Sequence, residues 1–264
     1  MKWKIPLYKI FTDGEDNRAV NKVLQEEWIG RLDMKITGKG IFRKYNRIQN
    51  SSRWIQRKIG AIVDPKQKRH AHVGSPELYK RSRDFQIKFL KDMGLIPGDY
   101  LLDIGCGTLV GGVPIIHYLE KRHYYGIEKR PDVLEEARKE LLASKLTHKT
   151  PVLLSEDIAS LNLEREFNFV WASSVLIHFK DEILEDCFAF VSSHLSKQGK
   201  FYANVNIGNK KDDSWKGFPV VWRTLDFYKK VGSSYGLTVQ DIGSRQEFGL
   251  AYLDNQRMLE ISKK

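Results

Sequence analysis

Two acidic side chains and a pair of glycines form the set in this chain most suited to chemistry. Asp103 sits near the end of the apolar run Leu101-Leu102-Asp103-Ile104, and Gly105-Cys106-Gly107-Thr108 follow directly. Glu128 closes the next apolar run, Tyr124-Tyr125-Gly126-Ile127, 21 residues after Gly107. A strand that turns through glycines into a helix lets a ligand approach the backbone closely. A carboxylate at the end of the following strand can accept both hydroxyls of a ribose. The spacing departs from a dinucleotide fingerprint, because Val110 stands where the third glycine of Gly-x-Gly-x-x-Gly would fall. Asp103 would also repel a diphosphate at short range, and it suits a ligand that carries a positive amino group.

Elements must hold these residues in place, and the pattern from Asp99 onward supplies them. Short apolar runs alternate with helical stretches, the βαβ signature of a parallel sheet covered on both faces. Strands are predicted at residues 100–104, 124–128, 151–155, 167–172 and 200–207. Helices are predicted at about 109–121, 131–142, 181–195 and 225–235, and a further helix over 76–93 carries Phe85, Phe89 and Leu90 at helical spacing. Two last strands, 237–242 and 258–262, suit an antiparallel pair. The fold class is therefore α/β, with a Rossmann-like sheet.

Asp103-x-Gly105-x-Gly107 with Glu128 after the next strand resembles the class I S-adenosylmethionine-dependent methyltransferases. The resemblance spans residues 76–264 and implies a seven-stranded, mostly parallel sheet with an antiparallel last strand. It implies S-adenosylmethionine as cofactor. Glu128 matches the ribose-binding acid, and Asp157-Ile158 matches the position that holds the adenine. The run Phe167 to Phe179 matches the fourth-strand motif lining the methionine and methyl end, although Asn168 stands where many members carry Asp. Carried over residue by residue, the cofactor set is Asp103, Gly105, Cys106, Gly107, Glu128, Lys129, Asp157, Ile158 and Ser173.

Methyl transfer from a sulfonium mainly requires that the acceptor be aligned and, for a hydroxyl, relieved of its proton. His178, eight residues after Val170, falls beyond the fourth strand at the sheet edge where ligands sit. It is the candidate general base; a role in orienting the loop or packing beside the cofactor is the alternative. Trp215, Phe218, Trp222, Arg223 and Tyr228 follow the fifth strand, where an insertion can cover an acceptor. Aromatics with one arginine suit a polar ring or a phosphate-bearing acceptor, and they equally suit the core of a covering helix. Asn206 is expected to face the site from the fifth strand, and Tyr79 and Arg83 to act as lid residues on the preceding helix or to lie on its surface. Tyr79, Asn206, Trp222 and Arg223 form the substrate set. Asp212-Asp213 is read as solvated, and no metal is expected.

The chain has 264 residues, 41% of them hydrophobic, with 2 cysteines. Those counts exclude a disulfide framework, and no run is long and apolar enough for a transmembrane helix or signal peptide. A cytoplasmic protein is expected. The net charge of +11 is concentrated: residues 31–91 carry 17 basic and 4 acidic side chains. Residues 1–75 read as a basic, partly helical extension, and residues 76–264 as the methyltransferase domain. The basic block attracts phosphate. Arg53–Ile62 suits a basic amphipathic helix on an anionic membrane surface, at the inner face, or a face packed on the α/β body or on a second subunit. Residues 1–30, through Lys4–Lys9 and Ala19–Leu24, weakly resemble the opening of pyridoxal-phosphate sugar aminotransferases, without any lysine-bearing cofactor motif. The acceptor expected on these grounds is a small molecule or glycan, a sugar hydroxyl in surface-polysaccharide or related biosynthesis. The rival reading is an RNA methyltransferase whose basic segment holds phosphates.

Overall fold

A computed structural model describes residues 76–215, 217–250 and 256–264. The basic segment before residue 76, including Arg53–Ile62, lies outside the described residues.

The described part opens with helix α1 (Pro76–Asp92) and then alternates strands and helices. These are β1 (Leu101–Ile104), α2 (Gly112–Tyr118), β2 (Tyr124–Ile127), α3 (Pro131–Ala143), β3 (Val152–Leu154), β4 (Phe167–Ala172), α4 (Asp181–His194) and β5 (Leu195–Val205). A short hairpin of β6 (Asp213–Trp215) and β7 (Phe218–Val220) precedes α5 (Leu225–Ser234), β8 (Leu237–Ser244) and β9 (Arg257–Lys263). Seven strands form one sheet in the order β3-β2-β1-β4-β5-β9-β8. β1 through β5 pair in parallel, and β9 runs antiparallel to both β5 and β8. The expected sheet is therefore present, with its antiparallel last strand.

Side-chain alternation splits the core into two faces. Leu102, Ile104, Val170, Ala172 and Phe201 pack under α4 and α5 against Leu184, Phe188 and Tyr228. Leu101, Phe169, Trp171, Tyr202 and Met258 pack under α1, α2 and α3 against Phe89, Ile115 and Leu134. Period-two strands buried on both sides explain why β1 reads as a continuous apolar run interrupted only by Asp103. Phe89 of α1 anchors the helix edge-on to Tyr202 and, 5.4 Å away, beside Trp171.

Two boundaries differ from the sequence pattern. The helix expected from residue 109 begins at Gly112, because Gly107 (φ 55) and Leu109 (φ 61) hold left-handed backbone and extend the turn. The fifth strand begins at Leu195, five residues early, since the stretch after α4 already pairs Leu195 with Phe167. The β6–β7 hairpin was not anticipated: its six residues are too short to show a period.

Candidate active site at the carboxyl edge of the sheet

Strand order reverses between β1 and β4, so their diverging loops leave a crevice at the carboxyl edge. Of the residues assigned to the cofactor from sequence, Asp103 lies within β1 and the others on the loops after β1, β2, β3 or β4. The glycine turn forms the floor. Gly105 N and Cys106 N both donate to the Ile127 carbonyl, at 2.8 and 3.0 Å, tying the loop to the end of β2. Gly105 has φ 70, and a Cβ placed there would stand 2.5 Å from Val175 Cγ2 in the loop after β4. Only glycine meets both demands. From the outside, Arg83 of α1 donates Nε to the Val110 carbonyl at 2.9 Å and pairs with the buried Glu140 at 3.4 Å. Gln86 accepts from Trp171 Nε1 at 2.9 Å and lies against Gly111. Half-buried Tyr79 is one and two helical turns before these residues on the same helix.

The two acids are differently held. Asp103 is buried and accepts a hydrogen bond from the Tyr124 hydroxyl at 2.6 Å. Burial, reinforced by the charge of Glu128, raises its carboxyl to about 7 despite that bond. Glu128 is also buried, and its backbone N–H donates to Leu154 at 3.0 Å. Arg130 donates to its carboxylate from the backbone N (3.1 Å), Nε (2.9 Å) and Nη2 (3.3 Å). Asp157, exposed after β3, pairs with Lys129 at 2.6 Å and is held below the usual carboxylate range chiefly by that lysine. Ile158 beside it is buried. Two buried carboxylates at neighbouring strand ends suit hydroxyls and an ammonium group, and they oppose a diphosphate.

On the far side of the crevice the loop after β4 is organised by contacts from distant sequence. Ser173 is half-buried. Ser174 takes left-handed backbone (φ 58), with its N–H donating to Asn204 Oδ1 at 2.7 Å and its hydroxyl accepting from Arg245 at 3.1 Å. His178 ends the 3-10 turn Leu176–His178, and its Nδ1 lies 2.5 Å from the Pro219 carbonyl of β7. A carbonyl only accepts, so in the neutral ring Nδ1 carries the proton and Nε2 keeps its lone pair. Phe218 of the same hairpin lies 5.7 Å from the His178 ring and 5.4 Å from the Arg130 guanidinium. The hairpin thus spans from the candidate base to the partner of Glu128.

Residues 102–201 match the family model described as a methyltransferase domain. That stretch is similar to a methyltransferase domain. Three solved structures show the same fold around it. A magnesium protoporphyrin IX methyltransferase from Synechocystis with bound S-adenosylmethionine has 17% identity and TM-score 0.56, over 88% of this chain and 100% of that one. An S-adenosylmethionine-dependent methyltransferase from Clostridium acetobutylicum has 16% identity and TM-score 0.55, over 70% and 92%. A glycopeptide N-methyltransferase complexed with S-adenosylhomocysteine has 15% identity and TM-score 0.55, over 69% and 90%. No curated protein sequence matches the chain. The fold is the class I methyltransferase fold.

Within the methyltransferase fold, three of the four substrate residues expected from sequence follow β5, and Tyr79 lies on α1. Asn206, buried at the end of β5, donates to the Val221 carbonyl at 3.1 Å and supports the strand's return segment. Trp222 is half-buried under Lys210, whose ammonium lies 4.3 Å above the ring. Arg223 does not stand open toward an acceptor. Its guanidinium pairs with Asp181 at 2.7 Å and in a fork with Asp212 at 2.6 and 3.0 Å, which makes it the tie between α4 and the hairpin segment. Among the described residues no three His, Cys, Asp or Glu side chains gather to hold a metal ion, and no helix is long and apolar enough to cross a membrane. Sequence reasoning passed over Arg130, Tyr124, Pro219 and Arg245. Arg130 alone carried a readable signal, its place two residues after Glu128; the others act through contacts across the fold.

Proposed function

We propose that this chain transfers a methyl group from S-adenosylmethionine to a hydroxyl of a small-molecule or glycan acceptor, a sugar hydroxyl, with His178 as general base. The observation that carries the reading is the His178–Pro219 contact, which leaves Nε2 as an acceptor on the far side of the crevice from Asp103 and Glu128. The chemistry of the donor set fits the cofactor: Glu128 offers acceptors to ribose hydroxyls, and Asp103 offers charge to the amino group. When bound, S-adenosylmethionine supplies an electrophilic methyl group on a sulfonium leaving group. His178 Nε2 would take the proton of the acceptor hydroxyl, and the Pro219 carbonyl would stabilise the resulting imidazolium through Nδ1–H. Lys129 and Asp157 border the adenine end, and Ser173 the methyl end. Phe218, 37% exposed, and Trp215, 48% exposed, face each other across the hairpin and offer aromatic surface for a sugar ring.

The test is isotopically labelled S-adenosylmethionine incubated with the full chain and, separately, polar metabolites, lipid-linked glycans and total RNA. Label in a base-stable ether of the metabolite or glycan fraction supports the reading. Label confined to RNA overturns it.

A further inference from the structure

We infer that Arg130 competes with a ribose for Glu128, and so sets how tightly ribose-bearing ligands are held. The inference rests on the reading of Glu128 as the ribose-binding acid. A carboxylate offers about four lone-pair positions. Arg130 fills two on Oε1, with its backbone N–H and Nε–H, and one on Oε2, with Nη2–H. One position remains, while the two neighbouring hydroxyls of a ribose bring two donors. The backbone donation is fixed, since Arg130 is the residue on which α3 starts and its carbonyl already accepts from Leu134 N at 3.1 Å. Seating both hydroxyls therefore requires one side-chain donation to lapse.

The guanidinium has somewhere to go. Its side chain is 36% exposed, whereas that of Glu128 is 7% exposed. The Phe218 ring lies 5.4 Å from it, and the carboxylate of Asp132 draws on its charge. A guanidinium released from one oxygen leaves the backbone N–H on Oε1 and is already partly in solvent, so the exchange leaves no buried cation unpaired. Arg130 is thus a positioning residue whose fork must yield. A lysine in its place keeps the charge that offsets Glu128 but lacks the fixed fork.

Calorimetry on the full chain tests this with S-adenosylhomocysteine and its 2′-deoxyribose analogue, which brings one hydroxyl and needs no exchange. Arg130→Lys is expected to bind S-adenosylhomocysteine about 3–10-fold tighter than the unmodified chain, the worth of one regained hydrogen bond. The analogue is expected to change less than about 2-fold. The ratio of the two affinities within one variant is unaffected by any loss of folded protein, and Arg130→Met is expected to shift that ratio in the same direction. An unchanged ratio in both variants, or a shift favouring the analogue, overturns the inference. Failure of the unmodified chain to bind S-adenosylhomocysteine at all would instead overturn the ribose reading beneath it.

Discussion

The two sides of the crevice are built by different means. On the β1–β3 side, the functional groups sit at adjacent strand ends and hold one another: Gly105 and Cys106 on Ile127, Asp103 on Tyr124, Glu128 on Leu154 and Arg130, Asp157 on Lys129. On the β4–β5 side, each group is held by a side chain or carbonyl far away in sequence. Ser174 depends on Asn204 and Arg245, His178 on Pro219, and Asp181 on Arg223. The first arrangement fixes a common ligand with a local motif. The second can be altered piecewise, as a variable acceptor demands.

Substitutions that separate the two sides sharpen this contrast. The largest effect is expected on the acceptor side, where His178→Gln should lower the rate of methyl transfer by about 10²–10⁴-fold. Calorimetry should find S-adenosylhomocysteine affinity within about 2-fold of the unmodified chain; a parallel loss of both would make His178 part of the cofactor side. Gly105→Ala should act in the opposite sense. Left-handed backbone and the approach to Val175 together cost roughly 2–4 kcal/mol, read as a lower melting temperature and weakened S-adenosylhomocysteine binding. Glu128→Ala should weaken S-adenosylhomocysteine by about 1–3 kcal/mol, with little change in melting temperature. Arg223→Met should cost about 1 kcal/mol of stability, because its partners are half-exposed. It should raise the acceptor KM and spare cofactor affinity.

The subtlest effect is a proton. Asp103 is raised from 3.8 to about 7 in the folded chain, so folding favours its neutral form. Its contribution to stability is complete below about 4 and is lost as pH rises through about 7. Asp103→Asn should therefore flatten the fall in melting temperature between pH 4 and 7. A ligand ammonium near Asp103 draws the carboxyl back down. Binding of S-adenosylhomocysteine at pH 6–7 should thus release a fraction of a proton, measured as a binding enthalpy that varies with the ionisation enthalpy of the buffer.

That contrast also decides what could be read from sequence. The sheet, its last antiparallel strand and the residues at the ends of β1, β2 and β3 were legible, because buried strands produce apolar runs and glycine turns leave short fixed spacings. Arg223 shows the limit. Its residue type suits an anionic acceptor, but Asp181 and Asp212, 42 and 11 residues away, claim its guanidinium. The β6–β7 hairpin was equally hidden, since two three-residue strands have no period to detect. The Tyr124–Asp103 bond joins residues on neighbouring strands, and nothing in the run Tyr124-Tyr125 says which ring reaches across.

The reversal of β9 has a further consequence. Since β9 runs against both neighbours, β8 ends at the same edge as β5, and Arg245, just after it, reaches Ser174 rather than the opposite end of the sheet. Phe248 and Leu250 clamp that crossing against the core under α1. Growth of such a crossing is cheap, about 0.6 kcal/mol for each doubling of its length. None of the bonds from Gly105 and Cys106 to Ile127 involves this crossing, so on the proposed reading a change in its length would alter the acceptor side alone. That reading makes selectivity a detachable part and the donor grip a fixed one.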